Sequence, residues 1–299
     1  MNCQLILGIL LLMSVTAGGF PVVLEGQAPA KATLHKSHPV HLHANLWMQT
    51  AAEYQAVCKQ TFNAALKEIR QVVKSAKRRQ GRPVGHGKKL LAVVADLDET
   101  ILDNARFQSE MDAAAMAYSD DKGYTDGRWN KWVEQNAEEV ELVPGAKSFI
   151  AEVEKLMVVM VYISNRPDRL KGATIRALTH NHVNTQGLQD ALELRLLLKG
   201  ETSNKQARIK QVEEKYAVVA YLGDNLSDFP GETGQPEDVV QRLAARRQKV
   251  EAAAQLWGTR WFMLPNPVYG DWDRALPSEA AERIQFLKRA NDPAFVEAK

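Results

Sequence analysis

The sequence predicts an α/β fold: a Rossmann-like parallel sheet flanked by helices, with an N-terminal helix and a small, partly helical insertion over the strand ends. Short and mostly apolar runs at 90–95, 157–163, 192–198, 217–222 and 260–264 have the length and composition of buried strands. Helical patterns lie between or after them, at 146–155, 169–180, 203–215 and 237–255. Strands that alternate with helices build a parallel sheet covered on both faces. A chain of 299 residues with ordinary apolar and charged fractions can bury one large core with additions.

In chain order, the first element is an apolar run at 5–15, followed by the small residues Ala17, Gly18 and Gly19. It is short for a membrane span and suits the apolar part of a secretory signal, so 1–30 reads as a signal peptide. No Lys or Arg precedes the run, and an uncleaved anchor is the alternative. Export to a periplasm or the medium is the expectation. Cys3 lies before the run, so no lipid-bearing cysteine follows it, and a stable membrane anchor is not expected. After cleavage Cys58 stands alone, which excludes an internal disulfide.

Residues 31–45 hold His35, His38, His41 and His43 around Pro39 and read as a flexible leader. Loose metal scavenging is the other reading, although the spacing sets no coordination geometry. Residues 46–89 form an N-terminal helix and a basic connector. Tyr54, Cys58, Phe62, Leu66, Ile69 and Val73 recur at helical steps, and Gly81, Pro83, Gly85 and Gly87 break the helix. The basic run from Lys74 to Lys89 has no interleaved aromatics, and the net charge is only +2, so nucleic acid is not an expected partner. The core spans 90–275, interrupted at 104–143 by a polar insertion carrying Trp129 and Trp132; 276–299 reads as a C-terminal helix and tail.

The chemistry gathers where strands end. In an open parallel sheet, ligands bind outside the carboxyl ends of the strands. The first strand runs into Asp96, Asp98 and Thr100; the second into Ser164, Asn165 and Arg166; the fourth into Gly223, Asp224, Asn225 and Asp228. A helix begins near Lys205, with Arg208 one turn later. Each piece has a plain reading as a turn, a cap or a surface charge. Together they aim carboxylates, a hydroxyl–amide pair and a lysine at one rim. Three carboxylates there need a hard cation, and Mg²⁺ accepts carboxylates, water and a phosphate oxygen. A lysine and a hydroxyl beside them suit a phosphoryl group.

These motifs resemble those of the haloacid dehalogenase superfamily of phosphohydrolases. Asp96-Leu97-Asp98-Glu99-Thr100 is similar to its first motif, Ile163-Ser164-Asn165-Arg166 to its second, Lys205 to its third, and Gly223-Asp224-Asn225-Leu226-Ser227-Asp228 to its fourth. The stretches at 44–54, 143–146 and 264–272 are similar to the class C acid phosphatases, an exported 5'-nucleotidase branch, so the resemblance spans about residues 44 to 275. Well-known members are lipoproteins, and the absent lipid-site cysteine is a departure.

The resemblance implies a Mg²⁺-dependent acid phosphatase that hydrolyses phosphomonoesters, nucleoside monophosphates among them, through an aspartyl-phosphate. Asp96 is then the nucleophile and Asp98 the general acid and base, with the higher pKa of the two. Asp96, the main-chain carbonyl of Asp98 and Asp224 hold the metal, and Asp228 orients metal-bound water from behind. Ser164, Asn165 and Lys205 hold phosphate oxygens. Trp129 and Tyr269 sandwich a nucleobase, whereas the residue reading also allows Trp129 and Trp132, three apart on a helix, to pack onto the core; Trp132 is read as packing. The family also allows a homodimer. Two other functions remain open: a non-catalytic binding or surface protein on the same scaffold, and a phosphotransferase sharing the same intermediate.

Overall fold

The computed structural model describes residues 41–82, 85–117, 123–183 and 195–287. The expected signal peptide, the leader up to residue 40 and the tail from 288 lie outside the described residues.

The first two elements are α1 (Leu42–Thr50) and α2 (Ala52–Gln80), separated by Ala51 in an extended conformation. Helix α2 buries Tyr54, Cys58, Phe62, Leu66, Ile69 and Val73, the face read from the periodicity. It stops at Gly81, whose φ of 71° is left-handed and lets its N–H close on the Lys77 carbonyl. Helix formation starts at Leu42, inside the stretch expected to be a flexible leader. The cause is tertiary: Asn45 is buried and its amide donates to Asp112 at 3.0 Å. Gln49 reaches the Ala105 carbonyl and Ser109.

Strand β1 (Leu91–Ala95) is buried at every position. The chain then makes a two-stranded ribbon, β2 (Leu102–Asp103) with β3 (Glu141–Leu142), which carries α3 (Ala105–Ala117) and α4 (Asp126–Gln135). That ribbon and its helices are the expected insertion. Helix α5 (Ala146–Lys155), β4 (Val159–Pro167), α6 (Lys171–His180), β5 (Leu196–Lys199), α7 (Gln206–Lys215), β6 (Ala217–Gly223), α8 (Val239–Ala252) and β7 (Trp261–Met263) follow. Two short helices, α9 (Asp271–Arg274) and α10 (Ala280–Arg283), come after the sheet.

The main sheet has five parallel strands in the order β5-β4-β1-β6-β7. Alternation along β1 divides the core. Leu91, Val93 and Ala95 pack with α2, α5 and α6, while Ala92 and Val94 pack with Ile209, Val212, Tyr221 and Trp261. Both faces are covered, which is why the strand reads as a continuous apolar run. From β1 the chain moves outward to β4 and β5, then returns to the other side of β1 as β6. The strand order therefore reverses between β1 and β6, where such sheets open a crevice at their carboxyl ends.

Phe62 ties α2 to this core, its ring 5.1 Å from that of Phe149 and 2% exposed. Phe62→Ala is expected to lower the unfolding free energy in urea by about 3–5 kcal/mol. A loss below about 1 kcal/mol would mean that α2 does not share the core.

Candidate active site

Asp96 is the first residue past β1, and its N–H donates to the Leu222 carbonyl of β6 at 3.0 Å. Its carboxylate thus sits at the β1–β6 reversal. Asp224 follows β6 and Asp228 lies in the tight turn after it; all three carboxylates are buried. Each of Asp96, Asp224 and Asp228 offers an oxygen within 4.8 Å of the others. Gly223 makes this possible, because a Cβ there would come within 2.4 Å of the Asp228 side chain. The Asn225 N–H donates to Asp228 Oδ2 at 2.8 Å, while Asn266 and Asn225 amides donate to Asp224 Oδ2 at 2.7 and 2.9 Å.

Lys205, at the start of α7, completes the group. Its Nζ lies 2.5 Å from Asp96 Oδ1 and 2.7 Å from Asp228 Oδ1. Burial works against its charge, but Asp228 and Asp96 outweigh that and push its pKa up. Burial also pushes Asp96 up to about 7, against the pull of Lys205 and with the push of Asp228 and Asp98. Asp224 is raised well above the carboxylate range by burial, then by Asp228 and Asp96. Three carboxylates against one ammonium leave a formal surplus of two negative charges in a buried place. All-oxygen donors with that surplus fit a hard divalent cation.

Asp98 stands apart from this cluster. Arg166 Nε donates to its two oxygens at 3.0 and 3.2 Å, and Nη2 to Oδ1 at 2.7 Å. Asn104 donates to Oδ1 at 2.9 Å and the Ser164 hydroxyl to Oδ2 at 3.3 Å. Arg166 is 1% exposed and also lies over the Trp129 ring, 5.5 Å from its centroid. Arg208 joins the second and third motifs: it donates to the Ser164 carbonyl and to Asn165 Oδ1, each at 2.7 Å, and to the Ser203 and Asn204 carbonyls.

A cavity of about 600 Å³ opens over these groups, with Asp96, Asp98, Asn165, Lys205, Asp224 and Asp228 in its lining. Tyr124, Trp129 and Tyr269 line it as well. The residues chosen from sequence are therefore close together, with three differences. Asp228, expected behind the ligands, offers its oxygen alongside Asp96 and Asp224. Asp98, expected as the general acid, is clasped by the Arg166 guanidinium, while burial raises Asp96 to about 7. Ser164, expected on a phosphate oxygen, is fully buried and turned onto Asp98, so Asn165 and Arg166 represent the β4 end in the lining. Trp129 packs on Phe107 at 5.0 Å and stacks on Trp132 at 5.8 Å, so it serves the insertion's core and the cavity wall together.

Sequence reasoning missed several members. Glu99 is buried with φ 57°, accepts from the Asn104 N–H, and is raised by burial and by Asp98 and Asp224. Asn266 and Tyr124 carried no role, and Arg166 and Arg208 were noted at the rim without one. No local pattern marks the inward aim of an arginine.

A family model described as HAD superfamily, subfamily IIIB (acid phosphatase), matches residues 25–272. The chain is also similar to the class C acid phosphatase from Bacillus anthracis: 30% identity, TM-score 0.70, over 85% of this chain and 99% of that one. The same enzyme with tungstate bound is similar at 30% identity and TM-score 0.69, over 86% and 100%.

The charge surplus has a pH signature. A carboxyl whose pKa is higher folded than unfolded stabilises the fold below the unfolded value, and that contribution is lost as pH rises through the folded one. For Asp96 the window runs from the ordinary 3.8 to about 7. Chelator-treated protein should therefore melt at lower temperature at pH 8 than at pH 5, and a divalent cation should raise the melting temperature more at pH 8. Parallel melting profiles with and without the cation would contradict this.

Proposed function

The chain belongs to the acid phosphatases of HAD subfamily IIIB, and from that premise we propose a Mg²⁺-dependent enzyme that hydrolyses nucleoside monophosphates through an aspartyl-phosphate. That it is a phosphomonoester hydrolase acting on small phosphorylated molecules follows from the family and from its class C relatives. The observation that carries the finer reading is the group itself. Asp96 is in an ion pair with Lys205, beside Asp224 and Asp228, with Asp98 lining the same cavity.

In this reading an Asp96 oxygen attacks phosphorus and the ester P–O bond breaks. Asp98 protonates the departing alkoxide and then takes a proton from the water that hydrolyses the acyl phosphate. That role requires Asp98 to turn one oxygen from Arg166 towards the cavity. Lys205 steadies Asp96 and meets the charge spread over the phosphoryl oxygens. Asp96, Asp224 and Asp228 would hold a divalent cation, which when bound would supply the positive charge that lets an anionic carboxylate approach an anionic phosphate. Mg²⁺ suits carboxylate ligands that leave room for water and a phosphate oxygen. The Bacillus anthracis relative binds tungstate, a tetrahedral oxyanion like phosphate, which supports a guest of this shape. Tyr124, Trp129 and Tyr269 give the cavity wall the flat surfaces that a nucleobase stacks upon.

Export belongs to the same reading and rests on the apolar run at 5–15. No helix among the described residues is long and apolar enough to cross a membrane.

Asp96→Asn should lower kcat for p-nitrophenyl phosphate by more than about 10³-fold with the thermal transition retained, and chelator should do likewise in the wild type, reversibly with Mg²⁺. Near-normal turnover by Asp96→Asn would remove the covalent route. Trp129→Ala should raise KM for nucleoside monophosphates about 5- to 150-fold, the equivalent of one stacking partner, and raise KM for p-nitrophenyl phosphate far less. Equal effects on the two substrates would make Trp129 a packing residue.

A further inference from the structure

Next to the catalytic cavity lies a second one of about 680 Å³ that the mechanism does not use. The two share Asn165, Ser227 and Arg274 as a common wall. The character of the second cavity is different. Tyr124, Trp129 and Tyr269 line the first; among the described residues, the second is lined by hydroxyls, amides, glycines and charged side chains, with Ala275 as its small apolar surface.

Three arginines face this space: Arg242 and Arg246 from α8, and Arg274 from α9. Two of them are committed. Arg242 donates to the carbonyls of Pro236, Glu237 and Ala275 and so shapes the wall. Arg274 pairs with Asp271 at 2.5 Å while its side chain stays 72% exposed. The two carboxylates of the lining are committed as well. Asp271 takes Arg274 and the Ser227 hydroxyl, and Glu232 accepts from the Asn204 amide at 2.9 Å.

Arg246 is the exception. It is half-buried, and among the described residues it makes no hydrogen bond or ion pair. Burial lowers its pKa, Asp271 opposes that, and Arg274 adds to it. A half-buried guanidinium with no hydrogen bond of its own is costly, and its planar fork matches the oxygens of a phosphoryl group. Hydroxyls at Thr202, Ser203 and Thr233 lie on the same walls.

We propose that this cleft is an anion subsite for a second phosphoryl group of the substrate, so that the enzyme prefers nucleoside bisphosphates to the corresponding monophosphates. The inference rests on the phosphatase reading of the adjoining cavity and narrows its substrate class. Only the ester at Asp96 is cleaved: its P–O bond breaks, water supplies the oxygen that leaves as inorganic phosphate and the proton that ends on the alcohol. The second phosphate departs intact with the product.

The test is steady-state kinetics of the full-length protein with Mg²⁺, using adenosine 3',5'-bisphosphate and adenosine 5'-monophosphate. The readout is the ratio of the two kcat/KM values in the wild type, Arg246→Gln and Arg246→Lys. The wild-type ratio should exceed about 5, Arg246→Gln should reduce it about tenfold, the worth of one charge-assisted contact, and Arg246→Lys should keep part of it. A wild-type ratio near unity, or a ratio that Arg246→Gln leaves in place, would overturn the subsite while the phosphatase reading stands. If Arg246→Gln instead weakened only inhibition by inorganic phosphate, the cleft would be a free-anion site and the proposal would fall. Turnover of neither ester would remove the phosphatase reading and the subsite with it.

Discussion

Much of this molecule answers to a concentration of buried negative charge at one point of a sheet. Asp96, Asp224 and Asp228 converge where β1 and β6 end, and Lys205 is the cation that reaches two of them. Mutual repulsion and lost hydration would expel such a group from an ordinary core. It persists because several devices hold it. Gly223 leaves room for Asp228, the Asn225 amide fastens it, Asn266 fastens Asp224, and the Asp96 N–H belongs to the sheet. The surrounding fold makes those positions rigid, since β1 is buried at every residue and the two core layers clamp it from both sides.

Around this centre the arginines divide the labour. Arg166 carries Asp98 and touches the insertion through Trp129, so the proposed acid–base group and the cavity wall share one side chain. Arg208 binds Ser164 and Asn165, near the end of β4, to the start of α7, which keeps Lys205 in register with β4. Lys249 from α8 donates to the carbonyls of Leu226, Phe229 and Gly231 and so braces the turn that carries Asp228. Carboxylates on strand ends, braced by cations from helices, are an economical way to combine precise placement with opposing charge.

The strand-and-helix frame was legible because its signals are local. Apolar runs bounded by polar turns mark the strands, and the Tyr54 to Val73 face marks α2. The candidate site was legible as residue types at strand ends, for Asp96, Asp98 and Asp224, and at a helix start, for Lys205, because the topology brings these ends together. What local pattern could not carry was side-chain direction. The Ser164 hydroxyl turns inward to Asp98 because Arg166 and Asp98 draw it there, and Asp228 reaches the cluster because its turn is only three residues long. The helical start at Leu42 was hidden for a similar reason: the last residues of the stretch read as a leader, from Leu42 on, are helix held by Asn45 and Asp112, 67 residues apart in sequence.

The central claim is that the surplus charge at Asp96, Asp224 and Asp228 is completed by one divalent cation. Calorimetric titration of chelator-stripped protein with Mg²⁺ near pH 7, repeated in buffers of different ionisation enthalpy, measures both stoichiometry and proton release. The account predicts one ion per chain and release of protons on binding, because the metal competes with the proton that burial favours on Asp96. Binding without proton release, or no saturable binding at all, would contradict it.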